Sequence, residues 1–144
     1  MRAGRRVKAK KDPLEKAVFF IDRSLGKNTV AQPLRDAGLK IELHDDNFPQ
    51  NALDQVWLTE VGRLRWYVLT RDERIRYRRL EADAVRNARV GMFVVVSKNL
   101  TGPHTAQIIV NALGRIQRFI SSHRRPFIAK IYRDGHVEKL DLSS

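Results

Sequence analysis

Aspartates recur in this chain just beyond short apolar runs. Asp22 directly follows Val18-Phe-Phe-Ile21, Asp45 and Asp46 follow Leu39 to His44, and Asp72 follows Trp66 to Thr70. A further one, Asp54, opens an amphipathic stretch. Carboxylates gathered in one place repel each other and need a counter-charge. Hard oxygen donors in small number suit Mg²⁺ or Mn²⁺, which keep waters and accept phosphate oxygens. Such an ion lowers the pKa of bound water and neutralises charge on a phosphodiester. Basic residues lie beside the same segments: Arg23, Lys27, Arg71, Arg74 and Arg76. Guanidinium and ammonium groups there would grip flanking phosphates. An acidic pit in a basic surface suits phosphodiester cleavage.

Each residue also has a plainer reading. Asp22 could form a turn, and Asp54 could cap a helix. Asp72 could pair with Arg71 or Arg74, and Asp45 and Asp46 could make an Asx-turn from which only one reaches a site. His44 reads as a satisfied strand-end histidine, and Trp57 and Trp66 as core. The joint placement of the aspartates is what raises the site reading.

The elements must bring those segments together. Ala17 to Asp22 reads as a buried strand. Thr29 is expected to cap a helix with the stripe Val30, Leu34 and Ala37, which Gly38 stops. Leu39 to His44 alternates like a half-buried strand, and a loop follows from Asp45 to Ala52. Leu53, Val56, Trp57, Val61 and Leu64 predict a second helix. Trp66 to Thr70 is the third strand, with a short helix around Leu80 to Ala88. Gly91 to Ser97 is the most apolar run and predicts a central strand. Ile109, Ala112, Leu113, Ile116 and Ile120 share one helical face. Pro126 to Tyr132 predicts a last strand, from which Asp134-Gly135 turns into a hairpin with Val137 to Leu140. Strands alternating with helices imply a three-layer α/β sandwich on a mostly parallel sheet, closed by a C-terminal β-hairpin. In such sheets sites form outside the carboxyl ends of the strands. Asp22, Asp46 and Asp72 follow strand ends, and Asp54 falls on the same edge by topology.

The composition narrows the class. The chain has 144 residues, 42% of them hydrophobic, enough for one core. Having no cysteine, it cannot use disulfides, thiolate zinc sites or cysteine nucleophiles. Lys+Arg number 28 against 16 Asp+Glu, a net charge of +12. Six of the basic residues fall between Arg2 and Lys11, and the other 22 still exceed the 16 acids by six. Residues 1–16 therefore read as a flexible basic arm and 17–144 as a single domain, basic in its own right. A basic surface attracts polyanions, nucleic acid foremost. No run is long and apolar enough for a membrane span, nor does the amino terminus read as a secretory signal. The expected location is the cytoplasm.

Taken together, Val18-Phe-Phe-Ile-Asp22-Arg-Ser-Leu-Gly26, Leu34-Arg-Asp-Ala-Gly38, Asp54 and Val68-Leu-Thr-Arg-Asp72 resemble the PIN-like domains. The likeness is to the VapC-type toxin branch, through Thr70-Arg-Asp-Glu-Arg-Ile-Arg76, and also to the Mut7-C branch. It implies a metal-dependent ribonuclease using Mg²⁺ or Mn²⁺, with Asp22, Asp54 and Asp72 at the family's acidic positions. Where many members carry another aspartate two residues after the third-strand one, this chain has Arg74, and Asp46 would compensate. The resemblance implies RNA as substrate and an antitoxin protein as partner, with a homodimer left open. The competing reading is a non-catalytic nucleic-acid-binding or regulatory α/β module.

Overall fold

Apolar side chains alternate between two faces along every parallel strand, so one sheet feeds two cores. The structure, a computed structural model, describes residues 16–71, 79–96 and 100–141. The basic arm up to residue 15, Asp72, Arg74 and Arg76 lie outside the described residues.

Six strands form the sheet: β1 (Val18–Ile21), β2 (Lys40–Leu43), β3 (Tyr67–Thr70), β4 (Gly91–Val95), β5 (Phe127–Ile131) and β6 (Val137–Leu140). Their spatial order is β2-β1-β3-β4-β5-β6. The first five run parallel, and β6 returns antiparallel to β5 as the expected hairpin. The fully buried β4 lies inside the sheet, as its apolar run predicts.

On one face Phe19, Ile21, Leu69, Phe93 and Phe127 pack against three helical segments. These are a wide turn (Lys27–Ala31) running into α1 (Gln32–Asp36), then α5 (Gly102–Asn111) and α6 (Leu113–Ser122). On the other face Phe20, Val68, Met92, Val94 and Ile128 meet α3 (Asp54–Arg63) and α4 (Arg79–Ala88). A four-residue turn, α2 (His44–Asn47), closes β2. The architecture is the three-layer α/β sandwich that the alternation of elements implies.

Several local expectations change. Thr29 does not cap a helix: the helical stretch starts earlier, with the N–H groups of Val30 and Ala31 both reaching the Gly26 carbonyl. Its buried stripe is Val30, Ala31 and Leu34, and Ala37 is exposed. Gly38 does stop it, at φ +100°, a conformation that favours glycine. The loop expected from Asp45 begins as helix α2. On α3 the inward residues are Trp57, Leu58 and Val61, whereas Leu53 and Val56 are 67% and 55% exposed. Leu53 precedes the first turn, and the line facing the sheet runs through 57, 58 and 61. The single helix read from Ile109 to Ile120 is two, broken at Ala112, whose N–H reaches both the Ile108 and Ile109 carbonyls. Ile109, Ala112 and Ile116 stay on one buried face, joined by Phe119.

Helices α3 and α4 touch backbone to backbone at Gly62, where a Cβ would come 2.1 Å from the Ala88 carbonyl oxygen. Gly62→Ala must push them apart. The expected cost is about 1–3 kcal/mol, as for other overpacked sites, read as a fall of several degrees in Tm. An unchanged Tm would contradict this contact.

Candidate active site at the carboxyl edge of the sheet

β1 and β3 are parallel neighbours, with Ile21 paired to Leu69, so each strand delivers its next residue to the same edge. That register sets Asp22 beside Thr70. The Thr70 hydroxyl, almost fully buried, donates to Asp22 Oδ2 at 2.6 Å. From the other side, the Ser24 hydroxyl donates to Oδ1 at 2.5 Å and the Ser24 N–H at 2.9 Å. The latter closes an Asx-turn, in which an aspartate binds the backbone two residues on. Ser24 Oγ in turn accepts the Arg71 N–H at 3.1 Å. Each hydroxyl has a single proton. With both aimed at Asp22, the 3.0 Å approach of Ser24 Oγ to Thr70 Oγ1 holds no proton of its own. The half-buried carboxylate is thus fixed in rotamer by donors from its own turn and from β3.

Asp22 opens onto a cleft of about 230 Å³, lined also by Arg23, Leu25, Gly26, Leu43, His44 and Asp45. Of the two adjacent aspartates, Asp45 lines this cleft; Asp46 sits exposed on α2. Asp45 Oδ1 lies 3.6 Å from Arg23 Nε and 3.6 Å from His44 Nδ1. The Arg23 guanidinium also donates to the Gln50 carbonyl at 3.3 Å. His44 departs from its satisfied reading. It is buried among Phe20, Phe48 and Trp57, yet Nδ1 has no hydrogen-bond partner among the described residues. The Asp45 carboxylate, at 3.6 Å from it, is beyond hydrogen-bond reach.

Asp54 is the first residue of α3, not its cap, which is Leu53. Its carboxylate accepts the Trp57 indole N–H at 3.0 Å, and Trp57 stacks on Phe20 at 5.2 Å. Trp57 is therefore core, as read, and Trp66 is partly buried beside it. The Arg71 guanidinium turns inward, toward the Leu100 carbonyl at 3.2 Å and Thr105 Oγ1 at 3.3 Å. Lys27 begins the wide turn after β1.

No three His, Asp or Glu side chains among the described residues come close enough to hold a metal together. The cleft supplies a pair of carboxylates, Asp22 and Asp45. One or two carboxylates with waters is the donor set Mg²⁺ takes from a protein when it also binds phosphate. The donors present fit a hydrated divalent ion rather than a closed cage.

Ser24 and Thr70 stand within the quoted motifs, which give neither of them a role. Signals for both are there: a serine two residues after a strand-end aspartate, and a threonine ending the neighbouring strand.

A parallel sheet with a fixed aspartate beyond β1 is the arrangement of a PIN domain, and the chain belongs to that family: the PIN like domain matches residues 17–97. Among known proteins, one from Mycobacterium tuberculosis named "Putative ribonuclease VapC45" is 27% identical over 126 residues, covering 85% of this chain and 91% of that protein. No solved structure matches the chain.

Thr70→Val keeps the shape and removes the hydroxyl that binds Asp22. Hydrogen bonds to charged groups contribute about 1.5–3 kcal/mol, so urea denaturation should show a loss near that size. A loss below about 0.5 kcal/mol, the floor for even a neutral hydrogen bond, would mean that Thr70 does not hold the carboxylate.

Proposed function

We propose that this protein is a metal-dependent endoribonuclease that hydrolyses RNA phosphodiesters and acts as the toxin of a toxin–antitoxin pair. The observation that carries the reading is the Asp22 carboxylate, locked by Ser24 and Thr70 at the carboxyl edge of a PIN fold. The ribonuclease name of the tuberculosis relative supports the choice of RNA.

In this reading Asp22, Asp54 and Asp72 hold Mg²⁺ or Mn²⁺, with Asp46 close by and Asp45 on the cleft wall. When bound, the ion supplies an acidified water and offsets charge on the phosphodiester. The chain's own residues do the rest. Ser24 and Thr70 keep Asp22 in one orientation, so no rotamer search precedes catalysis. Arg23 reaches over the cleft from its rim and balances Asp45. Lys27, Arg74 and Arg76 follow the same strand ends and contact RNA phosphates; Arg71 joins them by releasing the Leu100 carbonyl and Thr105. The indole of Trp57 holds the Asp54 carboxylate toward its own helix, which favours a role in completing the site rather than founding it.

An antitoxin would cover this edge. Leu53, the residue before α3, and Val56, on its first turn, are both more than half exposed near Asp54 and offer a protein partner an apolar anchor. The net charge of +12 favours an acidic partner and speeds its association. We place the protein in the cytoplasm; no helix among the described residues is long and apolar enough to cross a membrane.

The engagement of Asp54 with Trp57 equally suits a second reading, a non-catalytic nucleic-acid-binding module whose aspartates serve the fold. Cleavage of RNA by the purified protein with Mn²⁺ or Mg²⁺, against EDTA, separates the two. Asp22→Asn keeps the volume and loses the charge. It should lower the rate by more than the roughly 10–100-fold that loss of an outer partner of a metal site costs. Equal cleavage by the variant, or cleavage indifferent to EDTA, would sink the nuclease assignment.

A further inference from the structure

The amino edge of the sheet, opposite the acidic cleft, carries a basic groove that the proposed reaction does not use. The segments leading into β3, β4 and β5 bring Arg63, Arg65, Arg89, His123, Arg124 and Arg125 around one open cavity of about 690 Å³. No aspartate or glutamate is among the residues lining it.

Three of the arginines are uncommitted. Arg63 is bound to Glu60, whose carboxyl it holds below the usual range through that hydrogen bond. Arg125 donates to the Arg65 carbonyl at 2.7 Å and lies 4.7 Å above the Tyr67 ring. Arg65, Arg89 and Arg124 are exposed, with no side-chain hydrogen bond or ion pair among the described residues.

The backbone under two of them is unusual. α3 and α4 end in the same motif: Arg65 N–H to Gly62 O with Trp66 N–H to Val61 O, and Arg89 N–H to Arg86 O with Val90 N–H to Val85 O. Each motif forces one residue into the left-handed region, Arg65 at φ 62° and Arg89 at φ 59°. Glycine is the ordinary occupant there, since a side chain is penalised. The plainer explanation is that cations favour helix C-termini. The last turns already carry Arg63 and Arg86, each paired with an acid one turn back, Glu60 and Asp83. The ends of α3, α4 and α6 supply only about half a negative charge each. Against five arginines and Glu60, an excess of about two and a half positive charges remains.

We propose that this groove is a second nucleic-acid-binding surface, taking the phosphodiester backbone of single-stranded RNA on Arg65, Arg89 and Arg124. Planar guanidinium forks match phosphate geometry. The strands are four or five residues long, which sets the groove about 13–17 Å from the acidic edge. It therefore holds RNA remote from the bond being cut. The chain enters β1 through Lys16 at this edge, which adds one more exposed cation there. Among the described residues the two most exposed large apolar side chains, Leu53 and Val56, lie at the other end of α3, and only Leu64, at 37% exposure, stands at this end, so the groove offers a partner far more charge than apolar surface. The choice of RNA rests on the nuclease reading; the phosphate-binding character does not.

The test is binding, not cleavage. Fluorescence anisotropy of a fluorescein-labelled single-stranded RNA is measured with the full-length protein, EDTA present, across a salt series. In the double variant Arg65→Gly with Arg89→Gly, affinity at low salt should fall about tenfold and the slope of log K against log salt by about 1.4, near 0.7 per phosphate contact. Its Tm should hold or rise, because glycine fits both positions. Arg124→Ala, with ordinary backbone, should shift binding in the same direction. The charge-matched pair Arg118→Ala with Arg133→Ala, on other faces, should lose clearly less. Unchanged RNA affinity in the glycine variant would overturn the proposal, as would an equal loss in the control pair. A lower Tm with RNA binding intact would make the arginines helix caps. Weaker binding of poly-glutamate alone would assign the groove to an acidic protein. Because the ion is chelated, failure of RNA cleavage elsewhere leaves this result standing, and unaltered binding here leaves the nuclease reading standing.

Discussion

The hydrogen bonds that converge on Asp22 join the parts of this fold on which the site depends. They span β1, the turn after it and the end of β3, segments separated by 48 residues in the chain. Parallel pairing of β1 with β3 makes that meeting unavoidable: once Ile21 is opposite Leu69, the next residues on both strands leave the sheet together. The buried faces enforce the pairing, because slipping the register by one residue would turn Phe19 and Ile21 out of one core and Phe20 out of the other. The carboxylate is thus placed by hydrophobic packing and then oriented by Ser24 and Thr70.

Other features of the carboxyl edge follow from this geometry. β2 ends beside β1, so His44 and Asp45 form the far wall of the cleft. The turn α2 and the short loop after it return the chain to α3, whose Trp57 packs on Phe20 and draws the Asp54 carboxylate with it. The opposite edge has a different character because helices end there instead of beginning. Their exposed carbonyls attract cations, and arginine is present beyond what they require. One sheet therefore separates an acidic cleft from a basic groove.

Much of the fold was legible in the sequence because the strands are apolar runs of four or five residues bounded by polar turns, and the helices between them are amphipathic. The mostly parallel sheet, the hairpin and the strand-end location of Asp22 follow from that alternation; the order of the strands does not. What was not legible has physical causes. The inward line of α3 depends on which side of the helix meets the sheet, and Leu53 and Val56 fit the periodicity while facing solvent. The break at Ala112 leaves the apolar stripe intact, so periodicity passes over it. Ser24 and Thr70 acquire their role only when two distant segments are paired. His44 reads as an ordinary polar residue closing a strand until Phe20, Phe48 and Trp57 enclose it. Arg65 and Arg89 are unremarkable as letters; their significance lies in a left-handed backbone that only the helix ends reveal.

The central claim is that Asp22, held by Ser24 and Thr70, anchors a divalent cation at the carboxyl edge. Calorimetric titration of Mn²⁺ into the purified protein and into Asp22→Asn tests it without reference to any RNA. The account predicts saturable binding by the native chain that is lost in the variant, with the far-ultraviolet circular dichroism of the two proteins the same. Equal Mn²⁺ binding by both proteins would contradict it.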